Sequence, residues 1–153
     1  MSKRIGRLEK KDKIVYLPGV FDLFHVGHLM AIQKARSFGG FLVVGVQSSE
    51  SVHEQKKRWP IINTEDRKQI LFNIKGVDWV IVYEHPNQTD VLNVLKPHFL
   101  AVNETYGVKD VHQAATLKSA KRLGIKTVTI AYTHGISTTS IREQIKWNPA
   151  IKK

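Results

Sequence analysis

Short apolar runs and amphipathic stretches alternate along the chain. Ile14-Val15-Tyr16-Leu17 is an apolar run closed by Pro18-Gly19, the pattern of a buried strand. From His25 to Phe38 the residues Val26, Leu29, Ile32 and Ala35 recur at helical spacing, and Gly39-Gly40 ends the pattern. Phe41 to Val46 reads as a second buried strand. Ser48 to Asn63 is polar and basic and reads as a loop. Thr64 to Lys75 predicts a helix with Ile70, Leu71 and Ile74 inward, closed by Gly76. Trp79 to Tyr83 is a third strand, and a helix over Asp90 to Leu95 precedes Pro97. Phe99 to Val102 is a fourth strand. Asp110-Val111-His112-Gln113 has the form of a capping box with Asp in place of Ser or Thr, and opens a helix to Leu123 that stops at Gly124. Thr127 to Ile130 is a fifth strand, and Ser137 to Lys146 fits a last helix.

Strands joined by helical crossovers predict one parallel sheet covered on both faces. Such crossovers are right-handed. The expected fold is therefore α/β, a Rossmann-like doubly wound sheet of five parallel strands in a single domain. No internal repeat, linker or low-complexity segment interrupts it. Ligands of such folds bind outside the carboxyl ends of the strands, where the strand order reverses. The loops that matter follow Leu17, Val46, Val82, Val102 and Ile130.

Composition narrows this further. The chain has 153 residues, of which 42% are hydrophobic and 24% charged, near globular averages. There is no cysteine, so disulfides and thiolate metal sites are excluded. No apolar run is long enough to span a bilayer. The charged N-terminus lacks the apolar core of a signal peptide, which predicts a cytoplasmic protein. The net charge is +11, but residues 1–13 hold +4 of it and the end from Lys146 another three. Residues 1–13 thus read as a basic tail, 14–146 as the domain and 147–153 as a second tail. The modest excess in between suits the handling of small anions and argues against nucleic acid as the partner.

The loop after the first strand reads Gly-Val-Phe-Asp-Leu-Phe-His-Val-Gly-His over residues 19–28. Gly19 allows a sharp turn close to a ligand. His25 and His28, three apart at a helix start, can share one face. Gly27 between them removes a side chain that would block approach. A helix N-terminus attracts anions, and two imidazoles beside it suit a phosphate that gains charge during reaction. The pair can equally be a helix start without a role. It can also belong to a metal site, for which Asp22 is the nearby third ligand.

This loop resembles the H-x-G-H signature of the nucleotidyltransferase superfamily. Gly-Ile-Ser-Thr-Thr over residues 135–139 resembles the second signature of its cytidylyltransferase branch, Arg-Thr-Glu-Gly-Ile-Ser-Thr-Thr. The segments Pro60 to Arg67 and Val77 to Val80 are similar to those of glycerol-3-phosphate and phosphocholine cytidylyltransferases. The resemblance covers roughly residues 14–146. It implies that an acceptor phosphate oxygen attacks the α-phosphorus of a nucleoside triphosphate and that pyrophosphate leaves. The expected partners are CTP, with ATP as the alternative, and a small phosphorylated acceptor such as a phosphorylated alcohol or sugar. Mg²⁺ accompanies the triphosphate, no protein metal ligand is assigned, and a homodimer is expected, with Val77 to Val82 as a contributor.

The same resemblance implies roles. His25 and His28 are expected to hydrogen-bond the α-phosphate and bridging oxygen. Gly19, Val20, Phe21 and Asp22 form the loop around the nucleotide, with Asp22 orienting it or, alternatively, capping a helix turn. Of the basic triplet Lys56-Lys57-Arg58, Lys57 stands three before Pro60, as the catalytic lysine does in phosphocholine enzymes. In the glycerol-phosphate enzymes the charges fall nearer Lys56 and Arg58, and a solvated surface run is the alternative. Arg67 sits in the first turn of a predicted helix, a poor place for a cation, which a bound phosphate would explain. An ordinary surface arginine is the other reading. Ser137 and Thr138 either cap the last helix or bind a phosphate. Gly135 and Ile136 bring backbone close to the nucleotide. Glu104 is the candidate acid beside the ribose or base, or an exposed loop residue. Trp59, Trp79 and Trp147 read as packing residues.

One departure stands out. Tyr132-Thr133-His134 replaces Arg-Thr-Glu, so the guanidinium is gone from a position where Tyr132 and Thr133 should line the nucleotide site. Arg142 or His134 substitutes for it, or base preference has drifted, or activity is weakened and the chain is a nucleotide-binding sensor.

Overall fold

A computed structural model describes residues 12–147. Residues 1–11 and 148–153, and with them most of both basic tails, lie outside the described residues. The elements in chain order are β1 (Ile14–Gly19), α1 (Val26–Arg36), β2 (Phe41–Gln47), α2 (Ser49–Lys56), α3 (Thr64–Asn73) and β3 (Trp79–Tyr83). There follow α4 (Thr89–Leu95), β4 (Phe99–Asn103), α5 (Val111–Arg122), β5 (Lys126–Ile130) and α6 (Thr138–Trp147). The strands form one parallel sheet in the order β3-β2-β1-β4-β5. The order reverses between β1 and β4, whose carboxyl ends are Gly19 and Asn103. The doubly wound α/β fold expected from the alternation is therefore present.

Each face of the sheet carries its own apolar cluster. Val15, Leu17, Leu42 and Val44 meet Ile32 and Ala35 of α1 and Leu71 of α3 on one side. Tyr16, Val43, Leu100 and Val102 meet Leu92 of α4 and Ala120 of α5 on the other. Every residue of β2 is buried, which explains why the run from Phe41 to Val46 is apolar throughout and lacks a period of two; Gln47 at its end is polar. Gly45 sits in that strand because a Cβ there would collide with the Tyr16 hydroxyl. That hydroxyl donates to Gln88 Oε1 at 2.6 Å, and burial pushes its pKa well up.

Three local expectations are corrected. The stretch from Ser48 to Asn63 is not all loop, because α2 occupies its first half. This helix has no apolar stripe to reveal it; its buried positions are Ser51 and Val52. Polar bonds hold it instead: Ser48 Oγ accepts from the Ser51 N–H, and Gln47 Nε2 donates to Ser51 Oγ and Gln55 Oε1 at 3.0 and 2.8 Å. On α3 Leu71 is buried and Ile74 packs against the same cluster, as expected, but Ile70 is only half-buried and the other fully buried position is Arg67. At α5 only half of the capping box forms. Asp110 accepts from the His112 and Gln113 N–H groups, but Gln113 Oε1 turns to the Gly107 N–H. Among the described residues no helix is long and apolar enough to cross a membrane.

Candidate active site

The loop leaving β1 is wound tightly. Phe21 and Leu23 both have left-handed backbone, with φ of 56° and 49°. For such residues this costs about 1–2 kcal/mol each, so the surroundings must hold it. Asp22 between them does so. It is 2% exposed. Oδ1 accepts from the Leu23 and Ile62 N–H groups at 3.1 and 2.9 Å, and Oδ2 from the Ile61 N–H and Arg142 Nη2 at 2.9 and 2.8 Å. Burial alone would raise its pKa, but the Ile61 and Ile62 N–H groups and the Arg142 guanidinium together hold it below the usual carboxylate range. Gly19 permits the turn, because a Cβ there would stand 2.8 Å from the Phe21 ring.

His25 is the N-cap of α1 and His28 its third residue. The Gly27 N–H donates to His25 Nδ1 at 3.0 Å, and the His25 N–H donates to His28 Nδ1 at 3.3 Å. Two imidazoles thus do the work of a capping box. The rings stack at 3.9 Å. Because both Nδ1 atoms accept, the neutral rings carry their protons on Nε2. Desolvation lowers the His25 pKa. Desolvation, followed by the neighbouring His25, takes His28 down to about 4, with Asp22 opposing. At neutral pH the pair is uncharged and offers two Nε2–H donors. Gly27 lines the cleft, and its missing Cβ also makes room for the His25 ring, whose Cε1 would lie at 2.8 Å.

The second helix mouth opens on the same cleft. Ser137 and Ser140 cap α6 reciprocally, N–H to Oγ, at 2.9 and 3.0 Å. Thr138 Oγ1 donates to the Asp22 carbonyl at 2.9 Å, tying α6 to the histidine loop. The cleft, of about 340 Å³, is lined by His25, Gly27 and His28 from one mouth and Ile136, Ser137 and Thr138 from the other. That volume suits a small ligand. It lies at the carboxyl ends of β1, β4 and β5, at the switch point.

Of the other expected residues, Val20, Phe21, Asp22, Lys56, Tyr132 and Thr133 line this cleft. So does Arg58, whereas Lys57 does not: it is the C-cap of α2, in left-handed backbone at φ 54°. Desolvation, then the Arg58 charge, lowers the Lys56 pKa, with Asp110 opposing. Gly135 lies outside the lining but holds the left-handed turn, φ 83°, that brings the chain into α6. Glu104 is exposed and outside the cleft; its neighbours Asn103 and Tyr106 face in instead. Gln47, Gln55, Tyr83 and Gln113 also line it; Gln47 and Tyr83 directly follow Val46 and Val82, where site loops are expected, whereas Gln55 and Gln113 carry no sequence signal of a site role.

Arg67 is corrected. It is fully buried. Nε donates to the Ile62 carbonyl at 2.8 Å, and Nη1 to the carbonyls of Val20 and Gln47 at 2.8 and 2.7 Å. Nη2 reaches Ser49 Oγ at 3.0 Å and Thr64 Oγ1 at 3.4 Å. No donor remains for a phosphate; Arg67 ties the loops behind the site together. Neither candidate replaces the arginine missing at 132. Arg142 is paired with Asp22, and neither Arg142 nor His134 lines the cleft. Tyr132 stands at the rim, 53% exposed, its hydroxyl 3.1 Å from Thr105 Oγ1. Among the described residues no group of three His, Asp or Glu is arranged to hold a metal. The Asp22 carboxylate already has four donors.

The chain matches the cytidylyltransferase-like family over residues 16–144. It is 34% identical to the bifunctional protein HldE of Geobacter sulfurreducens over 134 residues, 87% of this chain and 27% of that protein. It is 32% identical to HldE of Aliarcobacter butzleri over 149 residues, 97% of this chain and 29% of the relative. The chain thus spans under a third of the length of these relatives. The lipopolysaccharide core biosynthesis protein of Thermoplasma volcanium superposes with a TM-score of 0.64 at 24% identity, over 80% of this chain and 97% of that one. Thermotoga maritima TmcAL, bound with alpha-thio ATP, superposes with a TM-score of 0.69 at 13% identity, over 92% and 52%. At these identities the two structures speak for the fold. The match across nearly the whole domain, with the H-x-G-H loop and the Gly-Ile-Ser-Thr-Thr turn meeting at one cleft, places the chain in the cytidylyltransferase-like family of nucleotidyltransferases.

Proposed function

We propose that the chain transfers a nucleoside monophosphate, AMP in preference to CMP, from a triphosphate to a small phosphorylated acceptor. The observation that carries this reading is the shared cleft: two Nδ1-anchored imidazoles at one helix mouth and the capped mouth of α6 open on the same space. An acceptor phosphate oxygen attacks the α-phosphorus in line. The bond to the bridging oxygen breaks, and pyrophosphate leaves with the electron pair. Protein catalysis of such a step is positioning and charge stabilisation. His25 and His28 donate Nε2–H to the α-phosphate and bridging oxygens as charge grows there. Neither needs to release its proton. Lys56 and Arg58 offset the charge of the triphosphate, and the free N–H groups of α6 face its phosphates. Mg²⁺ enters as part of the triphosphate substrate.

Two points favour ATP over the CTP expected from the family's signature. The arginine of that signature is Tyr132 here, and TmcAL, which shares the fold, was bound with alpha-thio ATP. The Thermoplasma volcanium neighbour is a lipopolysaccharide core biosynthesis protein, which supports a phosphorylated sugar as the acceptor. A homodimer completes the proposal, with β3 at the sheet edge as the contact; the molar mass in solution tests it.

The functional test is pyrophosphate release with ATP or CTP and a panel of sugar phosphates, glycerol 3-phosphate and phosphocholine. ATP with a sugar phosphate should turn over fastest. His25→Ala and His28→Ala should each lower kcat roughly a hundredfold, the typical loss of one such donor. Equal rates for the double variant and the parent would remove the histidines from the mechanism.

A further inference from the structure

The segment 57–62 that joins α2 to α3 carries Arg58 into the cleft, yet it has no helix or strand of its own. Distant residues fix it. Asp22 accepts the N–H groups of Ile61 and Ile62, both at 2.9 Å. Arg142 of α6 donates through Nη2 to Asp22 Oδ2 at 2.8 Å and to the Trp59 carbonyl at 3.3 Å. Thr138, four residues earlier on α6, holds the Asp22 carbonyl at 2.9 Å. On its other side the Trp59 ring lies flat on His53 of α2, centroids 4.3 Å apart and planes 7° apart. Arg142 Nε is buried without a hydrogen-bond partner among the described residues, and the side chain is absent from the cleft lining. The guanidinium is turned to the Asp22 junction and away from where a triphosphate would lie.

We propose that Asp22 and Arg142 form a positioning pair for nucleotidyl transfer. They join α6, the histidine loop and the basic segment, so that Lys56 and Arg58 stand at the cleft before substrate arrives. Arg142 acts through Asp22 and the Trp59 carbonyl, not on the phosphates. The physical gain is preorganisation: a loose segment must be ordered on binding, and that cost is subtracted from affinity. The role assigned to the pair rests on the function proposed above.

The test uses the full chain carrying Trp79→Phe and Trp147→Phe, which leaves Trp59 as the one tryptophan. Its emission is recorded without nucleotide, and kcat and the triphosphate KM are measured, for Arg142→Met, Arg142→Lys, Asp22→Asn and the Asp22→Asn/Arg142→Met double variant. Arg142→Met should shift Trp59 emission to longer wavelength with no nucleotide present. It should raise the triphosphate KM roughly tenfold, more than it lowers kcat, and the double variant should be no worse than the weaker single one within about twofold, as expected of partners in one junction. Arg142→Lys, which keeps the charge, should recover part of the loss. Unchanged Trp59 emission in Arg142→Met, or a double variant whose loss is the product of the single losses, overturns the pairing. Should Asp22→Asn not fold, the two Arg142 variants decide by emission and KM. A parent protein that turns over no triphosphate would refute the proposed function, and the emission shift would still report whether Arg142 holds the segment.

Discussion

Gly27→Ala separates the placement of His25 from its presence. Gly27 is the second residue of α1 and its φ is not left-handed, so the backbone accepts alanine. The obstacle is the ring beside it: a Cβ would stand 2.8 Å from His25 Cε1 and 2.9 Å from Nδ1, where ordinary contact begins near 3.4 Å. The imidazole must move by about 0.6 Å, the difference between those contacts. Two terms set the stability. Alanine in a helix gains about 0.5–1 kcal/mol over glycine. Weakening the Gly27 N–H to Nδ1 bond loses about 0.5–1.5 kcal/mol. They nearly cancel, so the unfolding midpoint should stay within roughly 4 °C of the parent. Activity has no such offset. Displacement of a donor by a sizeable fraction of an ångström costs up to about a hundredfold in rate, so kcat should fall roughly ten- to a hundredfold. Adding His25→Ala to this background should then cost little more, because both changes disable one group. Pyrophosphate release and thermal unfolding on the same samples measure both sides. A variant within twofold of the parent rate, with His25→Ala inactive, would refute the idea that the ring must sit where Gly27 lets it.

Three further outcomes follow from the same geometry. His28 has a folded pKa of about 4 against 6.5 for the free side chain, so the unfolded chain binds more protons between those values. Its penalty to stability is absent above pH 6.5 and grows as pH falls toward 4; urea unfolding across that window, flattened by His28→Gln, checks the sign. Arg67→Met leaves the carbonyls of Val20, Gln47 and Ile62 without their donor and should cost about 3 kcal/mol or more, roughly 6–12 °C in midpoint. Loss of turnover at an unchanged midpoint would return Arg67 to the phosphates. Lys57→Gly, at a left-handed C-cap outside the cleft, should keep the parent rate, whereas Arg58→Ala should lose about tenfold as a charge is removed from the triphosphate; the reverse order in a rate assay would restore Lys57 as the working cation.

The sheet was legible because its strands are apolar runs bounded by Gly and Pro, and their crossovers have helical period. Strand β2 shows this at its clearest: Phe41 to Val46 can only be a strand buried on both faces. Helix α2 was not legible for the opposite reason. Its contacts are amide to hydroxyl and amide to amide, through Gln47, Ser51 and Gln55, and such pairs leave no hydrophobic period to read. Gln55 donates to the Asp110 carboxylate from an element far away in sequence. Arg67 misled for a related reason. A cation in the first turn of a helix does demand a negative partner, but here three backbone carbonyls supply it, and carbonyls have no sequence signature.

The histidine loop was legible as chemistry but not as architecture. The spacing of His25 and His28 put two imidazoles on one face, and the fold keeps them there. What spacing alone could not express is that the pair also ends the helix. Each Nδ1 is occupied by a backbone N–H, which fixes the neutral tautomer and leaves Nε2–H as the donor. A residue such as serine would cap α1 as well, but its short hydroxyl lacks the reach of an imidazole whose donor lies on the far side of the ring. The missing Cβ of Gly27 and the left-handed backbone at Phe21 and Leu23 are conditions for that double duty, and the committed Asp22 carboxylate holds them. In residues 19–28 the motif is thus visible as mechanics: Gly19, Phe21, Asp22, Leu23 and Gly27 are the positions that hold the two stacked imidazoles at the wall of the cleft.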